Sequence, residues 1–174
     1  MGSHATNFTK AFQHALSPFD SQAEKNGVKG NRKVISVSII EVPSIPIAHA
    51  LKIKPDEKVF YFERLMLFGE KPVALEKTCI PTTVLSDVDF KEMEKSKYAY
   101  IEAKTGKLIK TREQDITAFN LDDANISELL EVDMGQAMIE LREIVYFDDG
   151  LPSEYNIAII NSDLFNIHQI TNRE

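Results

Sequence analysis

Residues 59–80, VFYFERLMLFGEKPVALEKTCI, form two candidate strands joined by a turn. The first arm, Val59 to Phe68, is rich in aromatic and aliphatic residues, and the second, Val73 to Ile80, is a shorter strand of the same character. Gly69 and Pro72 supply the turn chemistry between them. Side chains on a strand alternate faces, so Phe60, Phe62, Arg64, Met66 and Phe68 share one face, and Arg64 is the only charge in that row. A guanidinium cannot shed its charge and needs a partner wherever it is buried. A hairpin centred on Glu70 sets Arg64 directly opposite Glu76. That pair is either a cross-strand ion pair that stitches the hairpin or the charged wall of an otherwise apolar pocket that holds a polar ligand.

Upstream of the hairpin, Thr6 to Leu16 places Phe8, Ala11, Phe12, Ala15 and Leu16 at helical spacing. Ser17 to Asn31, with Pro18, Gly27 and Gly30, reads as loop. Val34 to Val42 alternates Ile35, Val37 and Ile39 against Ser36 and Ser38, the pattern of a half-buried strand. Ser44 to Leu51 forms a short helix with Ser44 as N-cap and Pro46 in its first turn. Downstream, Thr82 to Lys95 gives one or two short helices. Tyr98 to Ala103 is a helical turn or a short strand, and Leu108 to Phe119 is a strand with a polar middle. Asp122 caps a helix to about Glu131, Gln136 to Phe147 and Ser153 to Ile160 are strands, and Phe165 and Ile167 anchor a polar tail.

Two segments roughly eighty residues apart resemble each other. HALKIKPDEKVFYFER gives a short helix, a Leu-x-Ile ending, a turn and a strand; ELLEVDMGQAMIELRE gives the same order, with Leu130 and Val132 matching Leu51 and Ile53. Each is followed by a Gly-and-Pro turn and a strand carrying a glutamate, Glu76 or Glu154. Two helix-hairpin halves imply one antiparallel sheet with pseudo-symmetry, its helices covering one face or lying at its ends, and hence an α+β class.

The 174 residues suffice for one domain with a substantial core. The formal charge of −7 and the scattered lysines argue against nucleic-acid binding by this chain unaided. Cys79 is the only cysteine, which removes an intrachain disulfide and a cysteine zinc cluster and fits a reducing cytoplasm. No apolar run approaches the roughly 18 residues of a membrane span. His14, His49 and His168 lack mutual metal spacing, and no cofactor or metal is expected. Met1 to His4 (MGSH) looks like an expression remnant, so residues 1–5 are set aside and 6–174 form the expected domain; a sequence that starts this way can also lack a natural N-terminal domain.

Four stretches together resemble the UTRA domain, the effector-binding module of the HutC branch of GntR-type bacterial transcription regulators. PIAHALKIKPDEKVFYFERLML resembles its helix, turn and Arg-bearing strand, and GEKPVALEKTCIP its Gly-x-Pro hairpin with a glutamate. SKYAYIEAKTGKLIKTREQDITA is similar to the segment with a Tyr and a Gly, and GLPSEYNIAIINSDLF to the closing strand. The likeness runs from about Asn7 to Ile167. It implies a chorismate lyase-like fold, a small-molecule effector held between sheet and helices, a homodimer, and operator DNA contacted only through a winged helix-turn-helix domain that residues 1–30 are too few to supply. No membrane partner is implied.

The resemblance also implies site residues. Arg64 matches the first arginine of an Arg-x-Arg strand, and Met66 stands at the second, which makes a sugar phosphate less expected than a single carboxylate or a more apolar metabolite. Glu76 matches the hairpin glutamate, Glu154 matches the glutamate of the last strand, and Ile160 replaces a frequent tyrosine. Phe8 and Thr9, after Asn7, match the stretch entering the domain, whose hydroxyl and amides can hold an anion. Tyr98 is first a core or rim tyrosine and second a ligand donor; Glu154 can equally cap a turn or pair with a lysine; Cys79 is a small buried hydrophobe; Asp122 and Asp123 open a helix. Two other readings stand beside the sensor. One is a chorismate lyase-like enzyme holding carboxylates with Arg64 and Glu76, which lacks a nucleophile-base constellation. The other is a dimerisation-only module packed solid around Arg64.

Overall fold

The computed structural model describes residues 18–173. Helix α1 (Pro18–Lys25) leads into strand β1 (Gly30–Glu41), helix α2 (Ile45–Ala50) and the hairpin β2 (Lys58–Phe68) and β3 (Lys71–Pro81). Helices α3 (Phe90–Lys95) and α4 (Lys97–Thr105) follow, then β4 (Ile109–Asn120), α5 (Ala124–Leu130) and the hairpin β5 (Ala137–Phe147) and β6 (Pro152–Asn161). The six strands form one antiparallel sheet in the order β1-β2-β3-β6-β5-β4. Each half contributes three consecutive strands, and the two closing strands, β3 and β6, meet at the centre, where they are the most buried.

The repeat seen in the sequence is a repeat in space. Lys52 and Glu131, just past α2 and α5, are the two described non-glycine residues with positive φ, at 55° and 56°. In each half the chain leaves its helix through the same bond, Ile53 N–H to the Ala48 carbonyl and Val132 N–H to the Ser127 carbonyl. This left-handed exit leads the chain out of each helix toward the strand that follows. Ser44 caps α2 as expected, accepting from the Ile47 amide. In α5 the cap is Asp123, not Asp122, because it is the Asp123 carboxylate that reaches the Asn125 and Ile126 amides.

Helices pack on both faces of the sheet, not on one face or at its ends as expected. On the first face, α3 and α4 bring Met93 and Ile101 onto Phe60, Phe62 and Ile80, while α1 brings Phe19 and Ala23 onto Met66, Phe68, Val73 and Ala74. On the second, α2 sets Ile47 and Ala48 against Val59 and Cys79, and α5 sets Ile126 and Leu130 against Leu65 and Leu75. Strand alternation explains the division: even positions of β2 face one way, odd positions the other.

The stretch expected to be loop up to Asn31 contains α1, because Phe19 and Ala23, four residues apart, bury one helix face. Phe19 stacks on Phe68 at 5.1 Å and lies under the Arg32 guanidinium, itself paired with Asp20 at 3.0 Å. Tyr98 to Ala103 lies within α4, opened by the Ser96 hydroxyl and closed by Gly106. In β1 the apolar row Ile35, Val37 and Ile39 is the exposed one, at 39%, 44% and 58%, so this edge strand is not half-buried in the expected sense. Of the tail anchors, Phe165 packs beside α1, whereas Ile167 is exposed. The expected helix over 6–16, with Phe8 and Thr9, lies outside the described residues.

Candidate functional site

The β2–β3 register places Arg64 opposite Glu76, as the hairpin reading requires. The turn is the two residues Gly69 and Glu70, with Phe68 paired to Lys71, and an irregularity opposite Met66 and Leu67 shifts the pairing by one position to bring the two charges level. Both are buried, at 4% and 7% exposure. Arg64 Nε and Nη2 donate to Glu76 Oε1 at 2.9 and 2.5 Å, and Nη1 donates to the Met93 carbonyl of α3 at 3.0 Å. The guanidinium therefore ties the sheet to the helix above it.

Lys97, the first residue of α4, descends into the same place and is 6% exposed. Its ammonium lies 3.2 Å from Glu76 Oε1 and 2.7 Å from Glu154 Oε2. Glu154 on β6 is wholly buried; the Lys97 ammonium is the close polar group at its Oε2, and its Oε1 has no hydrogen-bond partner among the described residues. Glu143 on β5, 4% exposed, accepts from the Tyr98 hydroxyl at 3.1 Å and from Gln114 Nε2 at 2.5 Å, with Arg112 at 3.9 Å. Thr78 and Asn156, paired across β3 and β6, complete the floor with a 2.7 Å hydrogen bond.

The two central glutamates differ sharply. Burial pushes the Glu76 carboxyl up, but the Arg64 guanidinium and the Lys97 ammonium outweigh it and hold Glu76 well below the usual carboxylate range. Burial raises Glu154, and Lys97 only partly offsets it, with the charges of Glu76 and Glu143 adding to the rise. The Tyr98 hydroxyl is raised by burial and by the Glu154 and Glu143 carboxylates, so it stays a neutral donor. The Cys79 thiol is on the opposite face and is pushed up to about 12, mainly by burial, as befits a packing residue.

Of the residues expected at the site, Arg64, Glu76 and Glu154 meet around Lys97, and Tyr98 borders them through Glu143. Met66 and Ile160 do not touch the charges through any bond; they join the apolar cluster under α1, on the same face. Lys97 and Glu143 were missed from the sequence, although both carried a signal. Lys97 is four residues before the core residue Ile101 on the inner side of α4. Glu143 is the only charge in the row Ile139, Leu141, Glu143, Val145 and Phe147, and it closes the second repeat where Arg64 closes the first. Of two surface cavities, one of about 480 Å³ lies between the end of α2 and the β5–β6 turn, and one of about 180 Å³ lies against Arg142 and Tyr155 and touches the cluster only at Glu143. Neither is lined by Arg64, Glu76, Lys97 or Glu154. Among the described residues no group of three or more His, Cys, Asp or Glu could hold a metal ion, and no helix is long and apolar enough to cross a membrane.

Known proteins share both sequence and shape with this chain. The UTRA domain family model matches residues 25–166. The mannosyl-D-glycerate transport/metabolism system repressor MngR of Escherichia coli K12 is 27% identical over 159 residues, which cover 91% of this chain and 65% of that protein. This chain thus spans slightly less than two thirds of that relative. A GntR-family transcriptional regulator from Enterococcus faecalis V583 superposes with a TM-score of 0.74 at 27% identity, over 80% of this chain and 99% of that one. The effector domain of PhnF from Mycobacterium smegmatis superposes at 0.77 with 21% identity, over 91% and 98% of the two chains, a likeness of fold alone. The α+β, chorismate lyase-like architecture expected from the sequence is the one these structures share. With most of its length matched, the chain belongs to the UTRA domain family, the effector-binding domain of GntR-family transcription regulators.

Proposed function

We propose that residues 6–174 form the sensing and dimerising part of a bacterial transcription regulator, reaching operator DNA only through an N-terminal domain of the longer protein. The effector is a small polar metabolite bound at Arg64, Glu76, Lys97 and Glu154, between the sheet and α3–α4. The observation that carries this is Glu154: a fully buried carboxylate whose Oε2 has the Lys97 ammonium at 2.7 Å while its Oε1 has no hydrogen-bond partner among the described residues, an acceptor that a ligand can satisfy. The curated relatives are regulators, which favours a sensor over a lyase. The exposed row Ile35, Val37 and Ile39 on the edge strand suits a second copy of the chain.

A thermal-shift screen tests the site. The panel holds sugars, sugar phosphates, carboxylates, fatty acids and mannosyl-D-glycerate, the compound in the name of one relative. A ligand that binds the folded state alone raises Tm by mass action. The expected result is a hit whose shift disappears in Glu154→Gln. A hit unaffected by that substitution places the site elsewhere, with the 480 Å³ cavity as the first alternative.

A further inference from the structure

The charged cluster carries more than a location. Arg64 spends donors of all three guanidinium nitrogens within the protein, two on Glu76 and one on the Met93 carbonyl. Lys97 is crowded by acceptors: Glu76 Oε1, Glu154 Oε2 and the Thr78 hydroxyl. The two buried cations of the cluster are thus both already engaged. The cluster offers an incoming donor Glu154, whose Oε1 has no hydrogen-bond partner among the described residues. The buried charges are Arg64 and Lys97 against Glu76, Glu143 and Glu154, an excess of carboxylate. The group that stands between the two central carboxylates is the ammonium of Lys97, 3.2 Å from Glu76 Oε1 and 2.7 Å from Glu154 Oε2.

Lys97 is also placed to move. Ser96 ends α3, its N–H bonded to the Glu92 carbonyl, and at the same residue opens α4, its hydroxyl accepting from the Ala99 amide. The two helices therefore meet at one extended residue, and Lys97 is the first residue beyond it. Ile101 anchors α4 in the core one turn further on, so withdrawal of the ammonium is a movement of the Lys97 side chain at the start of the helix.

Resting on the site proposed above, we propose that Lys97 is a built-in stand-in for the effector: its ammonium occupies the place of a hydrogen-bond donor that the effector presents to Glu154, and the effector is a donor-bearing, non-anionic small molecule that displaces it. The shared chemistry is a hydroxyl or ammonium group aimed at a buried carboxylate. Met66, where a second basic residue would draw a phosphate, lies in the apolar cluster beside it and adds no anion contact.

Three probes on one ring separate the chemistries: glucose, with hydroxyls alone, glucosamine, with an ammonium, and glucose 6-phosphate, with an anion. Binding is measured by calorimetry on the chain as it stands, with Lys97 exposure followed by acetic anhydride labelling and mass spectrometry. Expected is binding of glucose or glucosamine ahead of glucose 6-phosphate, with increased Lys97 labelling on binding. Lys97→Met then tightens that binding by about tenfold, the gain when self-occupancy is relieved. Lys97→Ala, which also removes the donor, serves if Lys97→Met fails to fold. Tightest binding by glucose 6-phosphate, lost in either Lys97 variant, overturns the ligand class while leaving the site intact. Binding unchanged in both the Lys97 variants and Glu154→Gln overturns the site itself. Silence from all three probes, or binding with Lys97 still protected, overturns the stand-in.

Discussion

Arg64 joins the two hairpin strands to α3, so truncating it does more than remove a ligand contact. Arg64→Ala leaves Glu76 buried with Lys97 as its remaining cation and is expected to cost roughly 3–5 kcal/mol in urea unfolding. Arg64→Met with Glu76→Gln leaves Lys97 and Glu154 as a matched pair and should recover most of that loss. Glu76 and Glu154 drive the pH dependence in opposite directions. Glu76, held low when folded, stabilises the native state above the ordinary carboxylate pKa of about 4.3, and that stability is lost as the pH falls through its folded value. Glu154, raised when folded, contributes stability below that ordinary pKa and loses it as the pH rises through its folded value. Tm of the native chain should therefore peak in mildly acidic solution. Glu154→Gln removes the decline on the alkaline side and moves the peak toward neutral pH, measurable by a Tm series in buffers of equal ionic strength. A peak that does not move with Glu154→Gln would show that another group governs that limb.

At the scale of elements, the short helices are held by packing, since none is long enough to persist alone. Helix α1 shows this best. A Cβ at Gly30 would lie 2.8 Å from the Phe19 ring and 2.7 Å from Asp20 Oδ1, so any larger residue there must displace these two side chains of α1. Gly30→Ala is expected to lift α1 and cost about 1–3 kcal/mol, with amide exchange accelerated over residues 19–25 and unchanged in β3 and β6. The bulge in β1 between Val34 and Ser36 is held in the same manner, the Val34 amide donating to Glu94 of α3 at 2.8 Å.

For the whole molecule, the open question is what covers the edge. Strand β1 is twelve residues long and presents Ile35, Val37 and Ile39 to solvent, an arrangement that invites self-association. The proposed dimer predicts that Val37→Lys with Ile39→Lys shifts the mass by light scattering from dimer to monomer, with far-UV circular dichroism unchanged. A dimer that survives both lysines would move the interface off this face.

Much of this architecture was legible in residues 49–64 and 128–143 alone. Alternation fixed the faces of the strands, the Gly-and-Pro turns fixed the hairpins, and the repeat fixed the pseudo-symmetric sheet, because these are local rules with periods of two and of one turn. The Arg64–Glu76 pair followed from hairpin register, which is also local. What no local rule contains is which helix lands on which face. Helix α1 was read as loop because only Phe19 and Ala23 mark its buried side, and their reward is Phe68, some fifty residues away. The β1 row was read as half-buried because alternation reports two faces but not whether either is covered. Lys97 was missed for the same reason. A lysine in sequence is a solvated charge until tertiary packing sets α4 over the sheet and brings its ammonium to Glu76, Thr78 and Glu154, contributed by two strands distant in the chain.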